Sequence, residues 1–191
     1  MFSQFQGQQN NIATRTDLRV VLQDPEQPEG TFTKELSFSA EGTMRVVIGN
    51  MFQTTAKALA GSALKGADPD EPRFVLPWSV SEMFARADTE IGEVTVTNVA
   101  GRPTLGTVKQ LTGDSPFPAL LEAEVCATLN IAGIGEIRTA TAVPIRAEIN
   151  SIPPFGTEAA HANSGLLVDA NGTARGMITG RSITLVGPAE A

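Results

Sequence analysis

The sequence predicts a mainly β fold, an antiparallel β-barrel or β-sandwich, on three observations. Apolar and polar residues alternate over residues 120–150, the mark of strands with one dry face. Glycine turns separate further alternating runs, with Asn171-Gly172 the clearest hairpin signal. Each arm of the 120–150 stretch is about twice the usual strand length of roughly 5–6 residues, which suits a barrel or a large curved sandwich. With 9 Phe, 1 Trp and 0 Tyr, the core must be aliphatic.

Residues 1–13 are rich in Gln and Asn, with Phe2, Phe5 and Ile12 as the large apolar side chains besides Met1. Composition predicts a flexible arm, and its low charge favours docking on a neighbouring subunit. Residues 14–191 read as one domain, since a chain of 191 residues is of single-domain size. Leu18–Leu22 is a short strand. Asp24–Gly30 is an acidic Pro/Gly turn. Thr31–Ala40 and Met44–Ile48 alternate about Glu41-Gly42 and read as a second hairpin.

Asn50–Gly66 reads as the single covering α-helix, over about residues 50–65. Asn50 can cap its start with Gln53 three residues on. Phe52, Ala56, Leu59, Ala60, Ala63 and Leu64 recur at helical spacing, and Gly66 can end it. Such a helix covers the sheet or plugs a ligand cavity with Met51 and Phe52 at its mouth.

Ala67–Pro72 is an acidic loop. Arg73–Val80 is extended but interrupted by Pro77, so it reads as an edge or irregular strand. Ser81–Ala87 reads as a single helical turn. Glu93–Val99 is a strand with Val94 and Val96 inward, and Leu105–Leu111 is a short strand in a Gly- and Pro-rich region.

The long hairpin is the centre of the reading. Its first arm carries Leu121, Ala123, Val125, Ala127, Leu129 and Ile131 on one face. Its second arm matches them with Ile137, Val143, Ile145, Ala147 and Ile149. Gly133 and Gly135 supply the positive φ of a tight connection. Keeping the dry faces together sets Ile131 against Ile137, Val125 against Val143 and Glu122 against Arg146, the last an opposite-charge pair. Pro144 has no N–H to give, so the second arm should be an edge or carry a bulge there. Ile152–Gly156 then breaks the sheet. Ser164–Thr179 is a hairpin that pairs Leu167 with Gly176 and Asp169 with Ala174, and Ser182–Val186 is the last strand.

Composition excludes several functions. A net charge of −7 repels phosphate, which argues against nucleic acid and against an anionic membrane surface as partners. Cys126 is the single cysteine and His161 the single histidine. A single cysteine forms no intramolecular disulfide, and one Cys with one His makes no zinc site of the usual kind without carboxylates. No phosphate loop, nucleophile elbow or dinucleotide fingerprint is present, so no cofactor and no metal is expected. The acidic residues Asp68, Asp70 and Glu71 read as a solvated turn. The start of the sequence shows no signal peptide and no apolar run shows a transmembrane span, so cytoplasmic residence is expected.

Three functions follow. The first is a non-catalytic module that binds a small apolar ligand. The second is a homo-oligomeric structural or interaction subunit, using the arm and the Pro144 edge. The third is a cofactor-free cyclase or isomerase with a buried carboxylate; enzyme activity is the weaker expectation. The candidate ligand-binding residues are Met51 and Phe52 with Glu122, Glu124, Arg146 and Glu148. Those last four share the second face of the hairpin, which is either solvent or a lumen.

Overall fold

The computed structural model describes residues 7, 9–24, 28, 31–59, 66–161 and 164–189. Among these residues thirteen strands form one antiparallel sheet. They are β1 (Gln9–Gln23), β2 (Phe32–Ile48), β3 (Phe52–Thr55), β4 (Pro72–Thr89), β5 (Gly92–Asn98), β6 (Thr104–Gln110) and β7 (Ala119–Val125). The chain continues through β8 (Ala127–Ile131), β9 (Gly135–Thr139), β10 (Val143–Ile149), β11 (Glu158–His161), β12 (Gly165–Val168) and β13 (Ala174–Pro188).

The sheet closes on itself, because β1 pairs with β2 on one side and with β13 on the other. Four long strands, β1, β2, β4 and β13, run the length of the wall. The rest of the wall is built from shorter strands laid end to end. One tier runs from β4 through β6, β7, β10 and β11 to β13. The other runs from β4 through β5, β8, β9 and β12 to β13. Each tier is an eight-stranded ring, a width that either fills with side chains or holds one small ligand. Strands of 15–18 residues must coil to close. Register shifts at Ala13/Thr14 and Arg19/Val20 in β1, and at Arg45/Val46 in β2, supply the bends.

The long hairpin is β7 and β8 against β9 and β10. Its dry face is the expected one: Leu121, Ala123, Val125, Ala127, Leu129, Ile131, Ile137, Val143, Ile145 and Ile149 are buried. Val125 pairs with Val143 and Glu122 with Arg146, as expected. Near the turn the register differs. Ile131 opposes Gly135 and Leu129 opposes Ile137. The turn is only Ala132–Ile134, closed by Ile134 N–H donating to the Ile131 carbonyl, and the spare residues lie at 140–142, between β9 and β10. Pro144 follows directly. It pairs with Glu124, while β11 meets β10 only at Arg146↔Ala160.

Three expectations are corrected. The covering helix is absent among the described residues. Phe52–Thr55 is strand β3 against Arg73–Val75 of β4, with Thr55 opposite Pro72, and one turn follows in which Leu59 N–H donates to the Thr55 carbonyl. Thr54 and Thr55 are β-branched, and the open flank of β4 offers ladder bonds that a helix would forgo. The remainder of the predicted helix, residues 60–65, lies outside the described residues. Secondly, Ser81–Ala87 is not a helical turn but the interior of β4. Pro77 is tolerated there because β2 ends at Ile48↔Trp78 and β3 begins at Phe52↔Val75. In that gap only the Pro77 carbonyl is used, accepting from Gly49 N–H at 2.8 Å.

Thirdly, Glu41-Gly42 is no turn; β2 runs straight through it. A Cβ at Gly42 would lie 1.9 Å from the Phe84 carbonyl oxygen and 2.4 Å from Ala85 Cα. Glycine is there for close approach of β2 to β4, not for chain reversal. The Asn171-Gly172 hairpin is as expected at Leu167↔Gly176, but a bulge moves Ala174 opposite Val168. Asp169 caps the turn. Its carboxylate accepts from the Asn171 and Thr173 N–H groups at 2.9 and 3.0 Å and from Arg175 Nε at 2.9 Å. Burial works against its ionisation, but the bonds from Thr173, Arg175 and Asn171 prevail and hold the carboxyl below its usual range. Gln9–Ala13, read as part of the arm, pair with β2; residues 1–6 and 8 lie outside the described residues.

Gly42→Ala should lower the unfolding free energy by more than about 2 kcal/mol, because the clashing atoms are backbone and cannot rotate away. Gly187→Ala, with nothing within 4 Å of its Cβ, should be neutral or slightly stabilising. Urea denaturation of both variants measures the difference; equal effects would remove the close-approach explanation.

Candidate functional site

The two tiers differ inside. Around β5, β8, β9 and β12 large side chains fill the ring: Val20, Leu22, Leu129, Ile131, Ile137, Leu167 and Ile178 are almost fully buried. The β6, β7, β10 and β11 tier instead encloses a cavity. Its volume is about 80 Å³, several times what one water needs.

Strand alternation places the lining. Ile12 comes from β1, Met44, Val46 and Ile48 from β2, Leu76, Val80 and Met83 from β4. Val108, Leu121, Val125, Ile145, Ala159, Ile183 and Leu185 complete the wall. Ile152, Pro153, Pro154 and Thr157, from the connection between β10 and β11, roof it. The sequence reading saw this segment only as a break in the sheet. Among the described residues the lining holds no charged side chain, and its polar members are Asn10, Trp78, Thr104 and Thr157. Trp78 Nε1 and Thr104 Oγ1 are buried without a hydrogen-bond partner among the described residues, which costs about 1–3 kcal/mol for each such group.

The candidates read from the sequence lie elsewhere. Phe52 is 50% exposed on β3, and Met51 packs half-buried against the core; neither lines the cavity. Glu122, Glu124, Arg146 and Glu148 are on the outward face of β7 and β10. Glu122 is held between Lys109, which donates to Oε2, and Arg146 Nε, 3.0 Å from Oε1. Glu122, Glu124 and Arg146 come together in a shallow outer depression with Leu105–Thr107 and Pro144, while Glu124, Arg146 and Glu148 are exposed.

Sequence reasoning missed Trp78 and Arg181. The only tryptophan of a chain without tyrosine, placed beside Pro77, was a usable signal; nothing local marked Thr104. Arg181 sits on the inward face of β13, opposite Leu18 of β1, and is 4% exposed. Its Nε, Nη1 and Nη2 have no hydrogen-bond partner among the described residues. Ile12 and Ile183 line the cavity, and the next inward positions on their strands are Thr14 and Arg181. Thr14 and Thr16 hydroxyls are likewise buried and unpartnered. Thr14 pairs with Leu185 and Thr16 with Ile183, both cavity-lining residues, so these hydroxyls lie beside the lining, while Arg181, opposite Leu18, lies beyond it. Burial pushes the Arg181 guanidinium down to about 10, with Cys126 opposing. Below pH 10 the folded and unfolded states are both charged, and the cost is present in full. Between pH 10 and the ordinary arginine range the folded state releases its proton first, so this contribution to stability recovers as pH rises. Cys126 itself is a free, buried thiol.

Among the described residues, no group of three or more His, Cys, Asp or Glu could hold a metal, and no helix is long and apolar enough to cross a membrane. No family model matches the chain, and no curated protein matches it. A solved structure does: DynF, from the dynemicin biosynthesis pathway of Micromonospora chersina. It is similar over 97% of this chain and 82% of its own, with a TM-score of 0.71 and 16% sequence identity. At that identity the likeness is one of fold.

Arg181→Met keeps most of the volume and removes the unpaired charge. It should raise the unfolding free energy at pH 7 by about 1–4 kcal/mol, measured by urea denaturation. A loss of similar size would mean that the guanidinium is engaged.

Proposed function

We propose that this chain binds a small, predominantly apolar molecule inside the β6, β7, β10 and β11 tier and does no chemistry on it. One observation carries the reading: an eight-stranded ring of aliphatic side chains left open at one end of the barrel and filled at the other. A ring this wide has enough residues to fill itself, as the other tier shows, and enclosed apolar space with few polar groups is what small-molecule sites share. Apolar burial is worth about 25 cal/mol per Å², so a guest that covers this lining gains affinity without any charged contact.

The non-catalytic part of the reading is supported by the lining, which among the described residues contains no carboxylate, histidine or thiol. The carboxylates considered for an isomerase, Glu122 and Glu124, face outward. The likeness in fold to DynF, a protein of a biosynthesis pathway, supports a guest that such a pathway produces.

Trp78 is the only tryptophan and there is no tyrosine, so emission excited at long wavelength reports on the cavity wall alone. Bromobenzene, an apolar heavy-atom quencher, should quench it saturably. Ala159, a small residue of the lining, is the place to close the space: Ala159→Phe should abolish the saturable component. Quenching that stays linear in bromobenzene, and the same in both proteins, would defeat the proposal.

A further inference from the structure

The cavity is not uniformly apolar. Trp78 and Thr104 both line it, and their polar atoms, Nε1 and Oγ1, are the lining's buried groups without a partner among the described residues. Thr104 is 3% exposed. An indole N–H can only donate, and a hydroxyl can donate or accept.

The two groups belong together by register. Val80 pairs with Thr104 and Trp78 with Gly106, so Trp78 and Thr104 are diagonal neighbours across β4 and β6, a spacing that a large side chain spans. Gly106 sets where the indole lies. A Cβ on Gly106 would be 2.3 Å from Trp78 Cε2 and 2.5 Å from Cζ2. The ring therefore rests on bare backbone of β6, with the carbon that bears Nε1 at the contact. A residue with a side chain at position 106 would push the indole off this seat.

The chemistry that fits is narrow. With no charge in the lining, an ionised guest would be desolvated without a counter-ion. Arg181 lies one inward step below the lining and does not belong to it. A pure hydrocarbon would leave both donors unsatisfied. An uncharged oxygen with two lone pairs satisfies both at once.

We propose that Trp78 Nε1 and Thr104 Oγ1 form a carbonyl-binding subsite, in which both donate to one oxygen of an otherwise apolar ketone, aldehyde or quinone. This inference rests on the reading of the cavity as a binding site, and the test separates the two.

Acetophenone and ethylbenzene are close in size and differ in the carbonyl. Each is titrated into the full chain, with affinity followed by calorimetry and the Trp78 indole N–H by nitrogen-edited NMR. Acetophenone should bind at least about tenfold tighter, the equivalent of one to two net hydrogen bonds. It should move the indole proton downfield and lower its own carbonyl stretching frequency. Thr104→Val should narrow the preference and Thr104→Ser should retain it. Equal affinities with an unmoved indole proton overturn the carbonyl subsite and leave the apolar cavity standing. If neither compound enters, both readings fall.

Discussion

Closure of the hydrogen-bonded ring is the constraint on which everything else in this molecule depends. A sheet of this length with free edges would expose rows of unpaired backbone groups. Here β1 and β13 meet over most of their lengths, and the first and last strands of the chain remove each other's edges. Closure forces the long strands to coil, and coiling is possible only where the ladder gives. The bulges in β1 and β2 and the spare residues at 140–142 are places where it gives, while at Gly42 the ladder stays in register and β2 lies close on β4. The core follows from the same constraint, because a ring of eight strands has a set width, and side chains must fill it or leave it hollow.

The features legible in the sequence were those that depend on alternation. The inward face of the long hairpin, its Val125↔Val143 and Glu122↔Arg146 pairs, and the Leu167↔Gly176 pair all follow from period-2 patterning. What could not be read was long-range. Residues 50–66 have helical spacing, yet β3 forms because β4 has an unpaired flank beside it, and no local signal announces that flank. Glu41-Gly42 looks like a turn because glycine at a turn and glycine at a crossing are the same letter. The register error at Ile131 has the same origin: two spare residues can sit in the turn or at a bulge, and only the ring decides.

The site was less legible than the fold. Charged residues draw attention in a sequence, and Glu122, Arg146 and Lys109 are indeed assembled, but on the outer face of the wall, away from the cavity. A cavity wall of Val, Ile, Leu and Met has the composition of an ordinary core. Only three-dimensional closure shows that one tier is hollow. Arg181, Thr14 and Thr16 lie along the β1–β13 seam, where the interior holds polar groups that packing does not require. Such an arrangement works against stability, and departures of this kind concentrate where a protein does something besides fold.

The end-to-end strands of the wall give the barrel a blind end. The filled tier closes the interior on one side of the hollow, and the connection that carries Ile152, Pro153, Pro154 and Thr157 lines it. A guest of the kind proposed above would then arrive and leave by the same end. In a through-channel, entry and exit can be tuned separately; in a blind vessel one barrier would set both rates, and retention could be long even with weak contacts.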